Sequence, residues 1–174
     1  GIEAIKTSTP APCRKFLKDA FTLLMNGTED EVIDYIEECR TKFKSLPPEE
    51  VAFPRSVSNV EKWKSTSDMY NKGCPIHVRG AILYNHYTKK KGIDNKYASI
   101  NNGEKIKFCY LKTPNWMHEN VISFIQDFPT ELDLDKHIDY ELQFSKSFLE
   151  PVKVILDCIG WETERKNTLE SFFT

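Results

Sequence analysis

The chain has 174 residues, of which 40% are hydrophobic and 29% charged, and its formal net charge is −2. That length supports one domain with a real core, or at most two small ones. No apolar run is long enough to cross a bilayer and no basic-then-apolar leader opens the chain, which predicts an intracellular, cytoplasmic protein.

Gly1 to Thr9 alternates apolar Ile2, Ala4 and Ile5 with polar residues and reads as an extended opening. Ser8 or Thr9 is placed to cap a helix whose first turn holds Pro10 and Pro12, with Cys13, Phe16, Leu17, Ala20 and Leu24 on one face. Asn26-Gly27 stops it. Thr28 followed by Glu31 is a capping box, and Val32, Ile36, Cys39, Phe43 and Leu46 form the stripe of a second helix that ends at Pro47-Pro48. So short a connection predicts an antiparallel helical hairpin. The second helix carries Glu29, Asp30, Glu31, Asp34, Glu37 and Glu38, a face for water or for a basic partner.

Residues 49–72 are weakly periodic; a short helix around Trp63 and a polar loop over 65–73 are expected. Lys72 to Gly92 is the organising stretch: Pro75 suits a helix start, Gly92 a stop, and Ile76, Leu83, Tyr84 and Tyr87 recur at helical spacing. Gly80 within it implies a close approach, by a packed neighbour or by a ligand phosphate. Asn102-Gly103 signals a turn, Lys105 to Leu111 alternates basic with apolar as a strand, and Val121 to Ile125 reads as a second strand. Residues 128–134 form a turn into a long helix whose apolar positions run from Ile138 to Ile159, kinked or restarted at Pro151 and ended by Gly160. The fold class is therefore α+β, mostly helical, with a small antiparallel β-sheet or hairpin.

Charge is strongly segregated. Residues 53–112 hold twelve Lys and Arg against four Asp and Glu, a net of +8, whereas residues 113–174 hold five against twelve, a net of −7. A basic middle suits a polyanion, or is a solvated surface. The five cysteines are scattered and never form CxxC, as expected of reduced thiols. GxSxG, P-loop, GxGxxG and HExxH signatures are absent. Asp133 and Asp135 form a DxD better read as helix-cap residues than as a two-metal site, and Cys74 with His77 is a lone pair at metal-like spacing.

Residues 1–14, GIEAIKTSTPAPCR, and 74–85, CPIHVRGAILYN, resemble the segments that open and anchor the thumb of B-family replicative DNA polymerases of T-even-type tailed phages. Residues 137–152 are similar to that thumb's return helices, and Leu169 to Phe173 resembles the family's sliding-clamp tail. The resemblance implies a fragment: residues 1–160 as the thumb and 161–174 as the clamp-binding tail of a larger polymerase. It also implies that the catalytic carboxylates and their Mg2+ lie in the palm, so that the fragment has no catalytic residue, metal site or cofactor of its own. Whether it counts as an enzyme is left open, and it is expected to be inactive alone. The implied partners are primer–template duplex DNA, a sliding clamp, and the palm and fingers of the same chain, in the host cytoplasm and with no membrane.

Carried over by position, Lys6, Ser8 and Thr9 match the opening motif, as phosphate contacts or as a helix cap. His77, Arg79 and Gly80 match the anchor motif, with Arg79 as the phosphate ligand or a salt-bridge partner, and with His77 and Asn85 helping at the duplex. Lys89, Lys90, Lys91, Lys105 and Lys107 are outer DNA contacts by charge. Leu169, Phe172 and Phe173 match the clamp tail. Two other readings stand beside this one: a protein-interaction module using the acidic hairpin and Phe-rich tail, and an enzyme with a Cys–His metal site.

Overall fold

The computed structural model describes residues 6–165. The fold is α+β and mostly helical, as its sequence implies. Its described residues fall into two compact units, one formed by the chain up to Leu46 together with the chain from Phe144, the other by Pro47–Gln143. Among the described residues no helix is long and apolar enough to cross a membrane.

The first unit contains α1 (Ala11–Asn26) and α2 (Glu29–Lys44), joined by two residues. Thr28 caps α2 by accepting the Glu31 N–H at 3.3 Å, behind a first turn of three acids that suits the helix dipole. Thr28→Ala should therefore destabilise the chain by about 1 kcal/mol, read as a lower urea midpoint at unchanged m-value. At α1 neither Ser8 nor Thr9 occupies the N-cap position. Pro10 is the N-cap residue, Thr9 is buried with its N–H on the Lys6 carbonyl, and Pro12 has no donor to satisfy. Two prolines in and before the first turn leave little for a hydroxyl to cap.

Cys13, Leu17 and Ala20 of α1 and Val32, Ile33, Ile36, Cys39 and Phe43 of α2 are buried. They meet a helical run that enters this unit at Phe144, the last residue of α6 (Tyr140–Phe144), and continues as a π-helical turn (Ser145–Leu149) and α7 (Glu150–Ile159). Phe43 packs on Phe144 at 5.3 Å, Phe144 stacks on Phe148 at 5.1 Å, and Phe16 meets Phe148 edge-on at 6.2 Å. Pro151 accounts for the π turn. It cannot donate to an earlier carbonyl, and the widened turn immediately before it lets the helix continue without a break. Of the expected apolar stripe, Phe148 and Val152 are buried, Leu142 and Ile155 are half-buried and Ile159 is exposed, while Leu156, outside that stripe, is buried. Ile138 lies outside the helix, bridged as extended chain to Leu111.

The second unit begins with a short helix, α3 (Pro48–Val51). It is built on a three-stranded antiparallel sheet of β1 (Phe53–Ser56), β4 (Lys105–Tyr110) and β5 (Val121–Phe124), with β4 central. Phe53 pairs with Phe108, and Cys109 with Ile122. All four β5 side chains are buried. One side of β5 is covered by α5 (Ile76–Lys90), whose buried residues, Val78, Gly80, Ala81, Ile82, Leu83, Tyr84 and Thr88, surround most of the helix rather than one stripe. Gly80 permits the contact: a β-carbon there would lie 2.8 Å from the Ser123 amide nitrogen and 3.1 Å from the Ile122 carbonyl carbon. Between β1 and α5, the short helix expected around Trp63 is α4 (Val60–Trp63), whereas the stretch expected to be a polar loop takes part in a small hairpin of β2 (Lys64–Ser65) with β3 (Met69–Tyr70).

Candidate nucleic-acid interface

The second unit contains a groove of about 920 Å3 between the β2–β3 hairpin, α5 and residues 99–102. Its floor is apolar, from Val60, Met69, Ile82 and Ile100, and its rim is polar, with Lys64, Ser65 and Thr66 on the hairpin, His86 and Lys89 on α5, and Ser99, Asn101 and Asn102 opposite. Each wall is held by specific bonds. Asn102 accepts the Val60 N–H at 2.8 Å, and Asn85 clasps Ile100 from both sides, donating to its carbonyl at 3.0 Å and accepting its N–H at 2.7 Å. On the hairpin, the Tyr70 hydroxyl donates to Glu119 at 2.7 Å. Burial, then that bond, push the Tyr70 hydroxyl above the usual phenol range.

Several residues expected at DNA have partners within the protein. Arg79 bonds Glu119 at 3.2 Å beneath the Tyr70 ring, with the side chains 21% and 18% exposed, so its charge is balanced inside the protein. Both functions of the Asn85 amide are taken by Ile100. Gly80 is buried against β5, the packed-neighbour alternative. His77 is half-buried beside Phe108, and burial, then the nearby Arg55, hold its imidazole below the usual range, so at neutral pH it adds no cation. Lys107 donates to the Glu49 carbonyl at 3.0 Å.

The remaining lysines are solvent-facing. Lys89, Lys90 and Lys91 are exposed around the last turn of α5, and Lys105 is exposed at the start of β4. Lys6, Ser8 and Thr9 belong to the first unit. Leu169, Phe172 and Phe173 lie outside the described residues. Sequence reasoning did not single out Lys64 or the Ser99–Asn102 wall; apart from the segregated charge, they leave no periodic trace in the sequence.

The other two readings meet specific geometry. The acidic face of α2 is partly occupied by the chain beyond α7: Arg165 bonds Asp34 at 2.6 Å, Glu164 lies 3.6 Å from Arg40, and the Glu162 N–H donates to Glu29 at 3.0 Å. Among the described residues no three His, Cys, Asp or Glu side chains are grouped as a metal site would need, and the Cys74 thiol points to the Pro75 carbonyl. Asp133 follows a 3-10 turn (Thr130–Leu132) in the left-handed conformation, with φ of 54°.

No family model matches the chain. Among curated proteins it is similar to the DNA-directed DNA polymerase of Enterobacteria phage T4, 24% identical over 177 residues. It is also similar to that of Escherichia phage RB69, 26% identical over 179 residues. Each match takes in 99% of this chain and 19% of the relative, so the chain spans about a fifth of the length of the curated relatives it matches. The similarity extends over nearly the whole chain rather than the two motifs alone, and it supports a fragment of a T4-type phage DNA polymerase.

Proposed function

We propose that this chain is the thumb of such a polymerase and that it grips primer–template duplex through the sugar-phosphate backbone. The observation that carries the reading is the groove, whose rim of lysine, hydroxyl and amide groups, with one carboxylate, Glu61, lies within the most basic span of the sequence. Lysines supply sequence-independent attraction to phosphates, hydroxyl and amide groups hydrogen-bond phosphate oxygens, and neither identifies a base. Lys64 is held by Glu61 at 2.8 Å, whereas among the described residues no carboxylate pairs with Lys89. Lys89 is the main phosphate contact of the groove in this reading, with Lys90, Lys91 and Lys105 as outer contacts by charge.

In this reading polymerisation, with its Mg2+, belongs to the other four fifths of the polymerase. The thumb positions the primer, and Leu169, Phe172 and Phe173 dock a sliding clamp.

Fluorescence anisotropy with a labelled primer–template at two salt concentrations tests the grip. Affinity should fall steeply with salt, as counterions released by the lysines are competed back. Lys89→Ala should weaken binding alike for all sequences and lower the salt slope by about 1. Phe172→Ala with Phe173→Ala should leave duplex binding unchanged. No binding at low salt, or unequal losses among sequences, would count against a backbone grip.

A further inference from the structure

One exposed aromatic residue of the second unit, outside the lining of the groove, is not explained by a duplex grip. Trp116 is 38% exposed, yet it is held rigidly: its indole N–H donates to the Leu132 carbonyl at 2.7 Å, and its neighbours Asn115 and Met117 are both buried. Asn115 ties that loop together, donating to the Lys112 and Glu119 carbonyls and accepting the Met117 N–H. Tyr87 meets the indole edge-on at 4.9 Å, and His86 meets Tyr87 edge-on at 4.8 Å. The Lys91 ammonium lies 4.3 Å from the indole centroid, and Lys90 lies 6.0 Å from the Tyr87 ring. A pre-oriented aromatic surface with one lysine over its face and another near its Tyr87 edge offers a stacked base and its neighbouring phosphates the groups they need.

We propose that Trp116, with Tyr87 and Lys91, is a stacking platform for an unpaired base of single-stranded nucleic acid. His86 and Lys89 line the groove, whereas Tyr87 and Lys91 belong to the same helix but are turned to a different side of it, so the platform is a surface distinct from the groove lining. The platform's place as a subsite next to a duplex rests on the reading above; its affinity for a single strand does not. In the unbound chain Lys91 covers the indole. A base takes that position and frees the ammonium for the adjoining phosphate, an exchange of one cation–π contact for a stack and an ion pair.

Three tryptophans, Trp63, Trp116 and Trp161, make the test direct. With Trp63→Phe and Trp161→Phe, Trp116 is the one indole left, and oligothymidylate of about eight nucleotides, within the site sizes of single-strand binders, should quench it saturably. Lys91→Ala should weaken that quenching. In the full chain, a duplex with a short thymidine overhang should bind at least about fivefold tighter than the blunt duplex. Trp116→Leu should abolish that gain and Trp116→Phe should keep most of it, with far-UV circular dichroism confirming the fold of each. Absent quenching, or an overhang gain that survives in Trp116→Leu, would overturn the platform. Quenching without any blunt-duplex binding would instead sink the duplex reading and leave the platform standing.

Discussion

Gly80→Ala should destabilise this protein by about 2 kcal/mol, although the same exchange in an ordinary helix interior stabilises by roughly 1 kcal/mol. The new β-carbon would lie 2.8 Å from the Ser123 nitrogen and 3.1 Å from the Ile122 carbonyl carbon, with the Ser123 hydroxyl closer still. β5 cannot retreat cheaply. Ser123 is paired in register with Phe108, and its hydroxyl donates to the His77 carbonyl at 2.8 Å, tying strand to helix. Urea unfolding measures the loss as a lower midpoint. Adding Ser123→Ala should recover only part of it, since the nitrogen and carbonyl carbon remain. The result also separates the two roles open to this glycine. If a ligand phosphate were the reason for it, alanine would raise stability and weaken binding; a packing glycine gives the opposite sign.

Much of the fold was legible because local signals agreed. The two prolines, Asn26-Gly27 and the Thr28–Glu31 box punctuate α1 and α2, and the alternation of Lys105 to Tyr110 marks β4. β1 was not legible: it is an edge strand of four residues containing Pro54, and its pairing with β4 is set by contacts some fifty residues away. β2 and β3 are two residues each, too short to carry any period. At the site, the positive charge was legible and the partners were not. The phosphate-ligand and salt-bridge readings of Arg79 stand side by side because Glu119, 40 residues downstream, gives no sequence sign of pairing with it. Asn85 looked available because Ile100, 15 residues away, fills its hydrogen bonds only in three dimensions. Lysine counts report where charge is concentrated; which lysines stay free is decided by tertiary pairing.

Gln143→Leu should cost about 3 kcal/mol, more than most single changes of similar volume. Gln143 is 0% exposed. Its Nε2 donates to the Val51 carbonyl at 2.8 Å and its Oε1 accepts the Tyr110 N–H at 2.9 Å, so one amide joins the segment leading into β1 to the end of β4. Leucine fills the space but takes a hydrogen-bond partner from a carbonyl and an N–H that have little access to water. Glutamate in the same place sharpens the argument. A carboxylate can accept from Tyr110, but it can donate to Val51 only when protonated, so the folded state should raise its pKa above the unfolded value of about 4.3. The sign follows from proton binding: between those two values the folded chain holds the extra proton, and stability falls as pH rises. Unfolding by urea should therefore show Gln143→Glu close to the parent near pH 4 and well below it at pH 7, whereas Gln143→Leu should lag by the same amount at both. A deficit for Gln143→Glu that does not change with pH would mean that water reaches the Val51 carbonyl, and that the amide is not what holds the sheet edge in place.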